Sequence, residues 1–226
     1  MGATTDITNT EPVSDATGDF SVEGKIVKAI ITSNQGVIGI GTTPTISGNQ
    51  IVPIYSGTRY CNLLTGGIAG SSSYAHSLIN ETNITINPEF YCKLKTGSSI
   101  GNVRIWAGLM AGLSLSNTDD LNINVVAFRF SQGVDAGWVP VKDLGFPVPV
   151  LGSAIGVVAA DTEYTLKIRV DSALNIAYFS VNGGVEQAIS VSDVLTTTNY
   201  IFVVQIFTNE NAPKNLLFSR SSLSIS

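Results

Sequence analysis

Apolar and polar residues alternate with a period of two in several stretches of this chain. The clearest run is residues 163–171 (EYTLKIRVD). Tyr164, Leu166, Ile168 and Val170 fall on one side, and Glu163, Thr165, Lys167, Arg169 and Asp171 on the other. That pattern predicts a strand with one wet face. Residues 89–96 repeat it, with Phe90, Cys92 and Leu94 opposed to Tyr91, Lys93 and Lys95. Residues 200–207 (YIFVVQIF) are apolar on both sides, as in a central strand covered on both faces. Further strands are predicted over 25–32, 36–41, 50–55, 58–64, 83–87, 103–109, 123–130, 176–181 and 216–225. Asn182-Gly183-Gly184 marks a hairpin. Residues 66–73 read as a small-residue loop, and 191–195 as at most one helical turn. No stretch sustains a 3.6-residue period, so the prediction is all-β, and this many strands means a sandwich or barrel.

Residues 1 to about 20 are polar and aperiodic and read as an extended arm. A soft boundary near residue 50 separates residues 1–50, an arm with a short β docking segment, from a sandwich domain over 51–226. Charged residues make up 13% of the chain, against about 25% in an ordinary soluble domain. Ser, Thr, Asn and Gly take their place, so the surface is either solvated by hydroxyls and amides or covered by partners. The 12 basic residues are scattered and the net charge is −5, which argues against a nucleic-acid partner. The apolar runs are too short for a membrane helix. The N-terminus lacks the basic and apolar regions of a signal peptide. Gly2 invites myristoylation, but Asp6 stands where that motif needs Ser or Thr. Cys61 and Cys92 read as buried thiols, with a bridge open to them only if their strands are neighbours.

Catalytic chemistry is hard to find. The one histidine, His76, sits in SSSYAHSLIN and reads as a loop residue, with no Gly-x-Ser-x-Gly elbow for a triad and no companion ligands for zinc. Glycoside hydrolysis needs two carboxylates across a cleft. The nearest pair, Asp161 and Glu163, lies at a strand edge and reads as solvation of the strand's start. No enzyme is therefore expected. Asn117, Asp119 and Asp120 carry calcium-type oxygen ligands, but without the spacing and glycine of an EF-hand they read first as a polar turn. No cofactor is expected, with calcium at this loop the one candidate. Trp106, beside Arg104 on one strand face, and Trp138 are candidate platforms for a sugar ring, as are Tyr91 and Tyr178, although core packing is the commoner role for buried tryptophan.

NPEFYCKLKTGSSIGNVRIWAGLMAG, then VVAFRFSQGVDAGWVPV, then EYTLKIRVDSALNIAYFSVNGG resembles a pattern in structural proteins of tailed bacteriophages that are similar to concanavalin A-like jelly rolls. The matching points are residues 104–109, 127–131, Trp138, 164–168 and 182–184, and the likeness covers about residues 87–226. The resemblance implies an antiparallel jelly-roll sandwich with an N-terminal arm. It implies a virion part: a tail or head fibre, a spike or a capsid decoration protein. It also implies partners among other virion proteins and copies of this chain, with a trimer expected, and contact with host surface glycans. It carries no catalytic residue, and the histidine beside the Asp-rich metal loop of lectins with this fold has no counterpart here. The alternative is a free-standing carbohydrate-binding module or lectin.

Overall fold

In a computed structural model, the described residues are 21–22, 25–26, 40–42, 50–56, 58–76, 85, 87–114, 116–145, 148–194 and 199–225. The arm expected over residues 1–20, and most of the strands expected over 25–32, 36–41 and 83–87, lie outside them.

The described strands are β1 (Ser21–Val22), β2 (Lys25–Ile26), β3 (Ile40–Thr42), β4 (Gln50–Ser56), β5 (Thr58–Leu64), β6 (Ser72–His76), β7 (Pro88–Thr96), β8 (Val103–Met110), β9 (Asn124–Ser131), β10 (Val139–Leu144), β11 (Val150–Leu151), β12 (Glu163–Asp171), β13 (Ile176–Val181), β14 (Gln187–Ser190), β15 (Ile201–Thr208) and β16 (Asn215–Ile225). Two seven-stranded antiparallel sheets form a jelly-roll sandwich. One runs β11-β10-β9-β8-β15-β6-β3 and the other β14-β13-β12-β7-β16-β5-β4. β1 and β2 form a separate pair. Because β3 pairs with β6, residues 40–42 add a strand to the main sandwich from the N-terminal side of the expected boundary.

The main core lies between the sheets. Phe90, Leu94, Leu166, Ile168, Phe179 and Phe218 meet Ile105, Leu109, Phe128, Phe202 and Ile206 there. β12 alternates strictly between buried and half-exposed residues, as its sequence predicts, because its outer face meets water. Strands β8 and β15 are buried throughout. Their outward residues Trp106, Met110, Ile201, Val203 and Phe207 form a second cluster with Leu121, against which Leu113 and Ile123 pack. The segment joining β8 to β9 therefore folds back over the outer face of this sheet.

One sequence reading changes. His76 is the last residue of β6 and stacks on Tyr74 with ring centroids 5.9 Å apart, so it is a strand residue and not a loop residue. The serine-rich lead-in hid the strand, because Ser72 and Ser73 are buried without being apolar. Cys61 and Cys92 lie on β5 and β7 with β16 between them. That puts them at least two strand spacings, roughly 10 Å, apart, beyond disulfide reach, and Cys92 is a buried free thiol.

Candidate functional site

At one end of the sandwich, β8 starts where β15 stops, with Val103 opposite Thr208. The connections 65–71, 97–102, 132–138 and 209–214 all meet at this end, and the β8–β9 segment reaches it from the far end. Thr65 N–H donates to Lys214 O at 2.8 Å, Gln132 N–H to Val103 O at 3.0 Å, and Asn209 N–H to Asn102 O at 2.7 Å. These bonds fix the loops to one another.

Amide and carboxylate side chains form a linked set on this frame. Asn117 Nδ2 donates to Asn209 Oδ1 at 2.8 Å, and Asn102 Nδ2 donates to Glu210 Oε2 at 2.8 Å. Asn102 N–H donates to Gln132 Oε1 at 3.1 Å, and Ala69 N–H to Asn211 Oδ1 at 3.0 Å. Lys214, nearly buried, ion-pairs with Glu210 and donates to Ser99 Oγ at 2.9 Å. Hydrogen bonds from Lys214 and Asn102 hold the Glu210 carboxyl below its usual range. Ile68 and Val134 stand exposed on two of the same loops.

Two arginines lie beneath. Arg104, on β8, donates from Nε to Asp119 Oδ1 at 2.8 Å and from Nη1 to Asn117 Oδ1. Arg129, on β9, donates to both oxygens of Asp135 at 2.9 and 2.8 Å and from Nη1 to Asp119 O at 2.6 Å. Burial works to raise the Asp119 carboxyl, but hydrogen bonds from Arg104 and Ser131 and the charges of both arginines outweigh it, so it titrates below the usual range.

Arg104, Asn117 and Asp119 come together, but as a guanidinium with its acceptors. The calcium reading of Asn117, Asp119 and Asp120 is corrected on that ground: the Asn117 and Asp119 oxygens already serve Arg104, while Asp120 Oδ1 accepts from Asn122 N–H at 2.9 Å. Among the described residues no group of three or more His, Cys, Asp or Glu could hold a metal ion. The sugar-platform reading of Trp106 and Trp138 is corrected as well, since both are fully buried. Trp138 packs against Phe130 and Tyr164 in the core, and Trp106 lies beneath the β8–β9 segment with Arg129 over its ring, 5.9 Å from the centroid. Tyr178 is covered by Arg169, 3.7 Å above its ring. Glu163 pairs with Lys93 at 2.9 Å, and Asp161 occupies a turn with φ 50°, so these two carboxylates do not form a cleft pair. Sequence reasoning missed Tyr74, Gln205, Arg129 and Asp143, all on the outer face of the β8 sheet. The signal for that face was the double-sided apolarity of β15, which required a second cover.

No family model and no curated protein matches this sequence. Solved structures do. A double-cysteine variant of alginate lyase A1-II′ is 17% identical, with TM-score 0.55 over 78% of this chain and 83% of that one. The carbohydrate recognition domain of Emp46p in its potassium-bound form is 9% identical, with TM-score 0.57 over 82% and 88%. A protein of unknown function, SO2946 from Shewanella oneidensis MR-1, is 11% identical, with TM-score 0.55 over 92% and 81%. These likenesses carry the jelly-roll part of the phage resemblance and no link to bacteriophages. They also correct the expectation of no enzyme. Alginate lyases share this fold, and a lyase does not need the carboxylate pair whose lack argued only against a hydrolase. The chain is an all-β jelly-roll sandwich whose structural neighbours are concanavalin A-like.

Proposed function

We propose that this chain is a carbohydrate-binding domain that takes its saccharide at the loop end built by Asn102, Asn117, Asn209 and Glu210. The observation that carries this reading is the linked set of amides and carboxylates held in place before any ligand arrives. Sugar hydroxyls both donate and accept, and amides beside carboxylates offer both functions in fixed directions. Preorganised side chains lose little freedom on binding. Exposed Ile68 and Val134 at the same end offer apolar surface to the C–H faces of a sugar. Solved lectin domains with this fold agree with the reading. Such a rim also suits the virion attachment role that the phage resemblance implies, and incorporation of the protein into particles is the test of that setting. For the binding itself, the protein is screened against a broad glycan panel and its ligands are measured by calorimetry. Asn209→Ala is expected to weaken binding about tenfold, the size of one lost polar contact at 1.4 kcal/mol. No binding across the panel, or full binding by Asn209→Ala and Asn102→Ala, overturns the reading.

A second reading is β-elimination on a uronate polysaccharide at Tyr74 and His76. Both rings are half-buried on the outer face of the β8 sheet, 5.9 Å apart. Burial raises the Tyr74 phenol, which keeps it protonated as a donor to a leaving oxygen, while the imidazole accepts the proton from carbon. Unsaturated products, followed by ultraviolet absorbance and lost in His76→Ala, test it.

A further inference from the structure

We propose that Asp119 is an internal stand-in for a ligand carboxylate, so that the saccharide taken at this end is an acidic one that displaces Asp119 from Arg104. The inference rests on the saccharide reading and names its substrate class. Arg104 is fixed on β8 with its side chain 9% exposed, whereas Asp119 comes from the β8–β9 segment and is 38% exposed. The cation is the built part of this pair and the anion is the removable part. Arg129 differs, because its carboxylate partner Asp135 is buried with it, at 3% and 4% exposure. A buried guanidinium left without an anion is strongly disfavoured. Whatever displaces Asp119 must therefore bring a negative charge of its own, and a neutral sugar does not.

A second observation lies under the same segment. Trp106 stands directly across from Gln205 in the strand register. Among the described residues, neither buried Trp106 Nε1 nor buried Gln205 Oε1 meets a hydrogen-bond partner, a donor and an acceptor on strand-paired residues. Gln205 spends its Nε2 on Ser114 O at 2.9 Å, which ties the segment down. Buried polar groups are almost always paired in a finished interior. A saccharide hydroxyl both accepts and donates, so one hydroxyl reaching this point satisfies both atoms. The row that it would meet continues on either side, to Tyr74 across from Gln205 and to Arg129 across from Trp106.

The experiment compares hexagalacturonic acid with its fully methyl-esterified form, which differ in the carboxylate charge. Binding of each is measured to the wild-type protein, to Asp119→Asn, which keeps the side chain's shape, and to Asp119→Ala, with folding checked by circular dichroism. Both variants are expected to bind the acid roughly tenfold more tightly, the scale of one charge-assisted contact no longer contested, and the ester unchanged. In a Trp138→Phe background Trp106 is the remaining tryptophan, and its quenching by acrylamide is expected to rise when the acid binds. Unchanged or weaker binding of the acid by both variants overturns the proposal. If Asn209→Ala still weakens binding of a panel glycan in that case, the saccharide reading stands without it. If no saccharide, acidic or neutral, binds any variant, both fall.

Discussion

Asp143 turns a buried carboxyl oxygen towards Asp120, and with both carboxyls ionised no donor among the described residues reaches it. Asp143 is 2% exposed, on the outer face of the β8 sheet, and its other oxygen accepts from Gly145 N–H at 2.8 Å. Two carboxyls that face each other form a hydrogen bond only when one is protonated. Burial, and then the bond with Asp120, pushes the Asp143 carboxyl up to about 6. The neighbouring cation, Lys142, points to the opposite face and pairs with Asp193 at 2.6 Å. A protonated Asp143 can therefore fasten the β8–β9 segment by bonding to Asp120.

The sign follows from linkage. The folded state holds this proton more tightly than the unfolded chain, so the stabilisation is complete below about pH 4 and is lost as pH rises through about 6. Its size is on the order of 3 kcal/mol, at 1.36 kcal/mol per unit. Asp143→Asn is expected to flatten the stability curve between pH 4 and 7, where the wild type gains stability on acidification. Urea unfolding at a series of pH values checks this, and parallel curves for the two proteins would show that the carboxyls do not share a proton.

The buried Arg129–Asp135 pair should be the most expensive ion pair to break. Asp135 accepts twice from the guanidinium and once from Ser131 N–H at 2.8 Å. Asp135→Ala leaves a buried guanidinium without the carboxylate it is paired to, at a cost of about 3–5 kcal/mol. Removing Glu186 from exposed Arg169 is expected to cost about 1 kcal/mol or less, although that contact is also bidentate, at 2.9 and 2.5 Å. Chemical denaturation of the two single variants compares them directly, and equal losses would contradict the burial argument.

Much of this fold is legible in the sequence because one physical signal dominates it. β12 and β13 fall on the residues that period-two alternation predicts, 163–171 and 176–181. The turn after β13 places Asn182 and Gly183 at φ 53° and 68°, as an Asn-Gly hairpin demands. β6 escaped because its buried residues include serines, and β11 because it has two residues, both exposed. The site was legible only in pieces. Arg104, Asn117 and Asp119 were singled out separately, for stacking and for metal binding, but nothing local says that a segment returning across a sheet will place one carboxylate on one guanidinium. Trp106 misled for the same reason, since its strand face reads as open until the cover is known.

Asn182 carries two roles in its hairpin, and both belong to the side chain. It holds a left-handed backbone conformation that Ala resists, and its Oδ1 accepts from Thr165 N–H at 2.8 Å. Asn182→Ala is expected to lose about 1–3 kcal/mol. Asn182→Gly relieves the backbone but not the missing acceptor, so its loss should be smaller. If thermal unfolding shows Gly no better than Ala, the conformational part of this account is wrong.

Gly108 sets how closely β8 and β9 approach beneath the second cluster. A Cβ there would stand 2.5 Å from Ala127 Cα, 2.7 Å from Ala127 Cβ and 2.7 Å from Val126 O. None of these is the end of a flexible side chain, so the two strands themselves must separate. Gly108→Ala is expected to cost about 3 kcal/mol, at the upper end of overpacking penalties. It should also disturb Trp106, two residues away on the same face, and so shift tryptophan emission. Gly101, in the loop that leads into β8, provides the contrast, since a Cβ there meets nothing within 4 Å. Gly101→Ala should be neutral or gain up to about 1 kcal/mol through the unfolded chain. A Gly108→Ala protein as stable as the wild type would mean that β8 and β9 can part without loss, and that the face carrying Arg104 and Trp106 is less rigid than its packing implies.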